Sequence, residues 1–167
     1  MIKFYYNAAP NPANVALFLE ESGLPYEIVP VDTRKGEQHE QAYSAINPNA
    51  KVPAIVDDGV VVFDSNAIPL CLAEKSGQFL PANTPQARGE MLSWLMFVAS
   101  GVGPHSGQAA HLVLGDDAMA KLPNVKRLLD EINARLTAQR VDALKAHYNF
   151  KTDMEAQARK AFFPYVA

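Results

Sequence analysis

The chain has 167 residues, 49% apolar and 20% charged, with a formal net charge of -3. That length holds one domain or two small ones, and the charge gives no bulk attraction to nucleic acid or anionic lipid. No apolar run approaches the ~20 residues of a membrane helix, Met1 to Tyr6 lacks a leader's apolar segment, and one cysteine suits a reducing cytoplasm.

Ile2 to Tyr6, rich in β-branched and aromatic residues, predicts a first strand. Asn7 to Asn14 reads as a loop, followed by a helix with Val15, Phe18 and Leu19 on one face and Gly23 at its end. Tyr26 to Val31 predicts a second strand, and Asp32 to Gln38 a polar loop. A short helix carries Ala42, Tyr43 and Ile46. Ala54-Ile55-Val56 and Val60 to Phe63 flank Asp57-Asp58-Gly59, a strong hairpin signal. Ser65 is placed to cap a helix bearing Ile68, Cys71 and Leu72, closed by Gly77.

The order βαβ, helix, ββ, helix implies a parallel pair from the crossover and an antiparallel pair from the hairpin. The expected architecture is an α/β thioredoxin-like domain over residues 1–78, a linker over 79–85 and an all-α domain over 86–167. In the latter, Met91 to Ala99 form an apolar stripe that Gly101, Gly103 and Pro104 are expected to break. Val125, Leu128, Leu129 and Ile132 form a second stripe behind Pro123. Val141 and Leu144 continue more weakly. Phe162, Phe163 and Tyr165 read as a docking tail.

The chemistry gathers at Asn47 to Ile55 and Asp64-Ser65. Pro53 precedes an apolar run, so the backbone of Val52 can stay outside the ladder, and Val52-Pro53 is a candidate cis bond. An exposed backbone edge beside a helix start suits a small, extended, charged peptide. Asp64 can meet an amine, the amides opening at Ser65 an α-carboxylate, and Lys51 and Gln38 a second carboxylate. Taken singly, each is bland: Asp-Ser is a common cap, Val-Pro a common dipeptide, and a lysine usually solvated. Their combination and order carry the reading. No cysteine lies in the Ala8-Ala9-Pro10-Asn11-Pro12 loop, so a thiol used there comes from the ligand.

These residues resemble the glutathione S-transferases, in particular the bacterial Nu class that includes disulfide-bond reductases. The matching text includes Ala16 to Glu21, Lys35-Gly36-Glu37-Gln38, Asn47 to Ile55, Phe63 to Ile68, Leu72 to Lys75 and Gly77 to Pro81. It resumes at Trp94 to Gln108 and around Leu114 to Leu144. The resemblance implies glutathione as co-substrate, contacted by Gln38, Lys51, Val52, Pro53, Asp64 and Ser65, with Asn11 near the sulfur. It also implies an electrophilic or disulfide acceptor and a homodimer.

Three departures from the family stand out. Ala9 lies where some members carry a threonine hydroxyl. Pro69 falls early in the helix expected from Ser65, where it removes a ladder bond. Around Leu112-Val113 the family carries further helices, so the helical domain reads as shortened, by deletion, by a segment left out with the numbering closed up, or by reorganisation, and after a deletion its apolar stripes need cover. Two readings follow. One is a glutathione transferase or glutathione-dependent disulfide reductase. The other is a non-catalytic glutathione-binding or dimerising module whose acceptor pocket was lost.

Among other residues, Tyr5 and Tyr6 read as packing groups and Cys71 as a buried small hydrophobe. Trp94 and Phe97 read as core or interface residues, and Lys126, Arg127 and Arg135 as a solvated face. His105 and His111 have no zinc-pair spacing.

Overall fold

The computed structural model describes residues 1–104, 122–153 and 155–162. They group into two compact units: Met1–Ser76 with Thr137–Ala167, and Gly77–Leu136.

In the first unit, β1 (Ile2–Tyr6) turns Ile2, Phe4 and Tyr6 into the core, as its alternation requires. Helix α1 (Pro10–Ser22) starts inside the stretch expected to be loop. The prolines that suggested a loop occupy the first and third helical positions, where no ladder N–H is needed. Its buried Val15, Ala16 and Leu19 join the core cluster of β1, and Gly23 closes it at φ 69. β2 (Tyr26–Pro30) pairs parallel to β1, with Ile2 opposite Tyr26.

A tight turn at Glu37–His39 and the short α2 (Gln41–Ser44) lead to β3 (Ala54–Asp57) and β4 (Val60–Phe63). Both φ angles of Asp58-Gly59 are positive, 49 and 84, as a two-residue hairpin requires. The sheet order is β2-β1-β3-β4, with β3 antiparallel to both neighbours. Helix α3 (Ala67–Ser76) buries Ile68, Leu72 and Ala73. Each such side chain contributes roughly 1.5–3 kcal/mol when fully buried, less for alanine. This is the expected thioredoxin-like arrangement.

The second unit contains α4 (Pro85–Phe97), capped by the Thr84 hydroxyl, which accepts from Ala87 N at 3.2 Å. Where Gly101 was expected to break the helix, the chain instead widens into a π-helical turn over Val98–Val102. Helix α5 (Pro123–Asn133) carries i,i+4 ion pairs, Lys126–Asp130 and Arg127–Glu131, on its surface. Neither α4 nor α5 has a buried residue among those described. The stripes are only partly exposed: Met91, Leu92, Leu95 and Ala99 are half-buried and Met96 is 53% exposed, with Trp94 and Phe97 exposed beside them, while Val125, Leu128 and Leu129 are exposed and Ile132 is half-buried.

Beyond it, α6 (Leu136–His147) belongs almost wholly to the first unit, and α7 (Ala156–Phe162) entirely. Val141 is buried in the β1–α1 core, and Tyr148 and Phe150 stack on Tyr6 at 6.2 and 6.0 Å. Thr137 donates to Glu21 at 3.0 Å. Residues 86–167 therefore do not form a single helical unit, because the Val141, Tyr148 and Phe150 side chains find their apolar partners on the sheet. His105, His111, the Leu112-Val113 junction, Phe163 and Tyr165 lie outside the described residues.

Candidate binding cleft

The turn before β3 is built from its buried amide. Asn47, 2% exposed, accepts from Asn49 N at 3.0 Å and donates to the Lys51 carbonyl at 2.7 Å. Tyr43 Oη donates to the same carbonyl at 2.5 Å, and burial pushes its hydroxyl up to about 12. With the Lys51 carbonyl held twice, the chain leaves Val52 just outside the sheet. The Val52–Pro53 peptide is cis, as expected. The main-chain N–H and C=O of Val52 have no hydrogen-bond partner among the described residues.

Asp64 follows β4 at φ 89, a conformation that is costly for a non-glycine residue. Its carboxylate accepts from Asn66 N at 2.8 Å and Ala67 N at 3.2 Å, and its carbonyl accepts from Ile68 N at 3.0 Å. The cap of α3 is therefore Asp64, not Ser65 as expected, and the helix opens two residues later. Pro69 is the third residue of α3, and lacking an N–H it leaves the Ser65 carbonyl without a ladder donor, between the Ile68–Asp64 and Leu70–Asn66 bonds. The amide and hydroxyl of Ser65 have no partner among the described residues.

Asn11 is exposed in the first turn of α1. Pro10 and Pro12 carry no N–H, and Ala13 N bonds to the Ala9 carbonyl at 3.2 Å. The helix start thus presents the Asn11 amide alone, beside the Asn11 side chain.

These pieces meet. Asn11, Lys51, Val52, Pro53, Asp64 and Ser65 line one open cleft of about 150 Å³. A cation, Lys51, and an anion, Asp64, lie along it with an unpaired strip of backbone at Val52. The arrangement suits an extended peptide carrying both signs of charge. No helix among the described residues is long and apolar enough to cross a membrane.

Gln38 is not among the cleft residues. It is 3% exposed, its Nε2 donates to the Ala161 carbonyl at 3.3 Å, and its Oε1 has no partner among the described residues. Tyr6 is fully buried, and burial, then Asp142 and Tyr148, pushes its hydroxyl upward, so it is a packing group as expected. Tyr5 packs on Tyr43 at 5.6 Å. Cys71 is half-buried, less enclosed than expected.

The sequence did not reveal Asp32. Burial opposes its charge, but the amides of Lys151, Arg34 and Lys35 and the Lys35 ammonium more than offset this, holding the carboxyl below its usual range. The Lys151 amide lies 2.9 Å from it. Asp32-Thr33 is legible as a turn, but its partner 119 residues away is not.

The glutathione S-transferase N-terminal domain family matches residues 2–74. The disulfide-bond oxidoreductase YfcG of Escherichia coli K12 is 43% identical over 118 residues, covering 66% of this chain and 54% of that protein. A glutathione transferase family member from Pseudomonas fluorescens, crystallised with two glutathione bound, superposes with a TM-score of 0.61 at 36% identity. That match covers 77% of this chain and 63% of the other. Ure2p in complex with glutathione gives 0.62 at 27% identity, covering 98% and 82%. The chain spans about half the length, or less, of the curated relatives it matches.

Proposed function

Since the chain belongs to the glutathione S-transferase family through its N-terminal domain, we propose that the cleft binds glutathione and readies its thiol for attack on an electrophile or a disulfide. The observation that carries this reading is the convergence of Asn11, Lys51, Val52, Asp64 and Ser65 on one cleft. The γ-glutamyl amine meets Asp64, and its carboxylate the Ser65 amide and hydroxyl. The cysteinyl unit pairs with the main chain of Val52, and the glycine carboxylate meets Lys51. Gln38 supports the neighbouring loop instead of touching the ligand.

The sulfur then lies near Asn11. A free thiol titrates near ~8.5, and a helix start with a directed N–H favours the thiolate. In reaction the thiolate forms a bond to the electrophilic atom and the leaving group departs with its electrons. Reduced glutathione as co-substrate points to the cytoplasm as the working compartment.

Calorimetry with glutathione, followed by ultraviolet difference titration of the bound thiol, tests both parts. Binding with a thiol pKa well under ~8.5 is expected. Absence of binding would end the proposal.

A second reading keeps binding without catalysis. It is favoured by Ala9, which offers no hydroxyl to the sulfur. Binding with an unshifted thiol selects it. The exposed apolar side chains of α4 (Trp94, Met96, Phe97) and α5 (Val125, Leu128, Leu129) also support self-association as a homodimer. Sedimentation is expected to show a concentration-dependent dimer, and a monomer at every concentration would count against it.

A further inference from the structure

Asn7 follows the last residue of β1 and is 7% exposed, so its amide is a buried polar group that needs partners. It finds two, one at each end. Its Oδ1 accepts from Ala9 N at 3.0 Å, and its Nδ2 donates to the Thr33 hydroxyl at 2.9 Å. Neither bond belongs to a strand or helix ladder. Asn7 itself is not among the residues that line the cleft of Asn11, Lys51 and Asp64.

The Ala9 end bears on α1. Ala9 is the N-cap of that helix, extended at φ -83 and ψ 161, and its methyl makes no cap bond. Its carbonyl accepts from Ala13 N at 3.2 Å, the first bond of the ladder. Asn7 therefore grips the residue from which α1 sets out. With Pro10 and Pro12 donating nothing, Asn11 carries the one N–H of the first three helical positions. A turn of the backbone at Ala9 swings the Asn11 amide and side chain together. Direction matters here, because a hydrogen bond weakens steeply once its angle falls towards about 120°.

The Thr33 end is the anchor. Thr33 follows Asp32, which is 5% exposed. The Asp32 carboxylate accepts from the amides of Arg34, Lys35 and Lys151 at 3.1, 3.4 and 2.9 Å. Arg34 Nη1 donates to the Lys151 carbonyl at 2.8 Å. Val31 N donates to the Tyr6 carbonyl at 2.8 Å, which ties the start of this loop to the end of β1. Thr33 thus stands on a turn held at both sides. One planar amide carries its position across to Ala9.

We propose that Asn7 is a positioning residue for the glutathione thiol: through Ala9 it sets the direction in which the start of α1 presents the Asn11 donors to the sulfur. The inference rests on the reading of the neighbouring cleft as the glutathione site. Asn7 acts on the thiolate and not on the hold over the peptide. That hold stays with Lys51, Val52, Asp64 and Ser65.

The test uses the full chain with glutathione. Ultraviolet difference titration reads the bound thiol, and calorimetry reads affinity. Affinity is measured in mild acid, where the thiol keeps its proton both free and bound, so it reports the peptide contacts alone. Asn7→Ala is expected to raise the pKa of the bound thiol by about one unit and to change affinity less than about threefold. Asn7→Ser keeps an oxygen able to accept from Ala9 N and is expected to restore about half of the shift. Thr33→Val keeps the Ala9 bond but loses the anchor, and is expected to raise the thiol about half as far as Asn7→Ala. Combining Asn7→Ala with Thr33→Val is expected to match Asn7→Ala alone, since both act through one amide.

A role in stability alone predicts a lower melting temperature with the bound thiol unmoved, and that result overturns the proposal. Thr33 is half-buried, so an unmoved thiol in Thr33→Val decides against it even if Asn7→Ala does not fold. Parallel loss of affinity and of thiolate in Asn7→Ala also overturns it, by making Asn7 a support of the whole cleft. A wild-type chain that binds glutathione with an unshifted thiol, or does not bind it, sinks the reading of the cleft and this inference with it. A lowered thiol in the wild type that the variants leave unmoved sinks this inference alone.

Discussion

Gln38 and Ala161 meet across 123 residues of sequence, the Gln38 Nε2 donating to the Ala161 carbonyl at 3.3 Å. His39 Nε2 reaches the same oxygen at 2.7 Å. Since a carbonyl can only accept, His39 carries its proton on Nε2. Together with the Lys151 amide on Asp32, these bonds pin the C-terminal segment to the loop after β2 at two points. The first consequence concerns Gln38. Gln38→Ala is expected to lower stability by about 1 kcal/mol, one net buried hydrogen bond. Glutathione affinity is expected to change less than about threefold, because the side chain is spent elsewhere. Paired melting curves and calorimetry check this. A tenfold loss of affinity at unchanged stability would put Gln38 on the ligand.

Asp64 is asked to do two jobs, and two substitutions separate them. Asparagine tolerates positive φ and keeps the oxygen that caps α3, but loses the charge proposed for the amine. Asp64→Asn is therefore expected to melt within a few degrees of the wild type and to bind glutathione about tenfold more weakly. Asp64→Ala loses the cap as well, costing about 1 kcal/mol more. If Asp64→Asn binds as well as the wild type, the amine does not sit there.

How much of this was legible follows from the range of each interaction. The sheet order needed only the crossover, the Asp58-Gly59 hairpin and alternation in Ile2, Phe4 and Tyr6, all local signals. The cleft was legible because Asn47 to Pro53 and Asp64-Ser65 fold by bonds of short sequence range, such as Asn47 to Lys51. The start of α1 was missed because prolines at 10 and 12 read as loop, although first-turn prolines forfeit no bond. Asp64 was missed as the cap because its φ of 89 is not visible in sequence. The fate of Gln38 and the placing of Asp32 and Arg34 both depend on Lys151 and Ala161, whose bonds to Asp32, Arg34 and Gln38 span more than a hundred residues. No local pattern announces them.

Thiol activation gives a third prediction. With Pro10 and Pro12 lacking N–H groups, Asn11 supplies the donors at the start of α1. Asn11→Ala is expected to return the bound thiol toward ~8.5 and lower turnover about tenfold or more, with glutathione affinity little changed. Ala9→Ser restores a hydroxyl to the loop and is expected to shift the thiol further down. Titration of the bound thiol in both variants reads the effect. An unaltered thiol in Asn11→Ala would move activation elsewhere.

The turn that presents Val52 should fail in alkali, and the sign can be worked out from Tyr43. Its phenol is 5% exposed, donates to the Lys51 carbonyl and is pushed up to about 12 by burial. In the unfolded chain it titrates near ~10. Below pH ~10 both states hold the proton and the stabilisation is present in full. Between ~10 and ~12 the unfolded chain releases the proton while the folded chain retains it, so stability falls, by up to about 3 kcal/mol on linkage. Urea midpoints are expected to drop as pH rises through this window, with glutathione binding lost in parallel. Tyr43→Phe is expected to cost about 1 kcal/mol at neutral pH, because Asn47 alone then holds the Lys51 carbonyl. It should also flatten part of the alkaline fall. The remaining slope belongs to Tyr6 and Tyr26, which burial also pushes upward, and to Lys75 and Lys151, which their carboxylate partners push upward. An alkaline profile identical in Tyr43→Phe and wild type would show that the Tyr43 hydroxyl does not hold this turn.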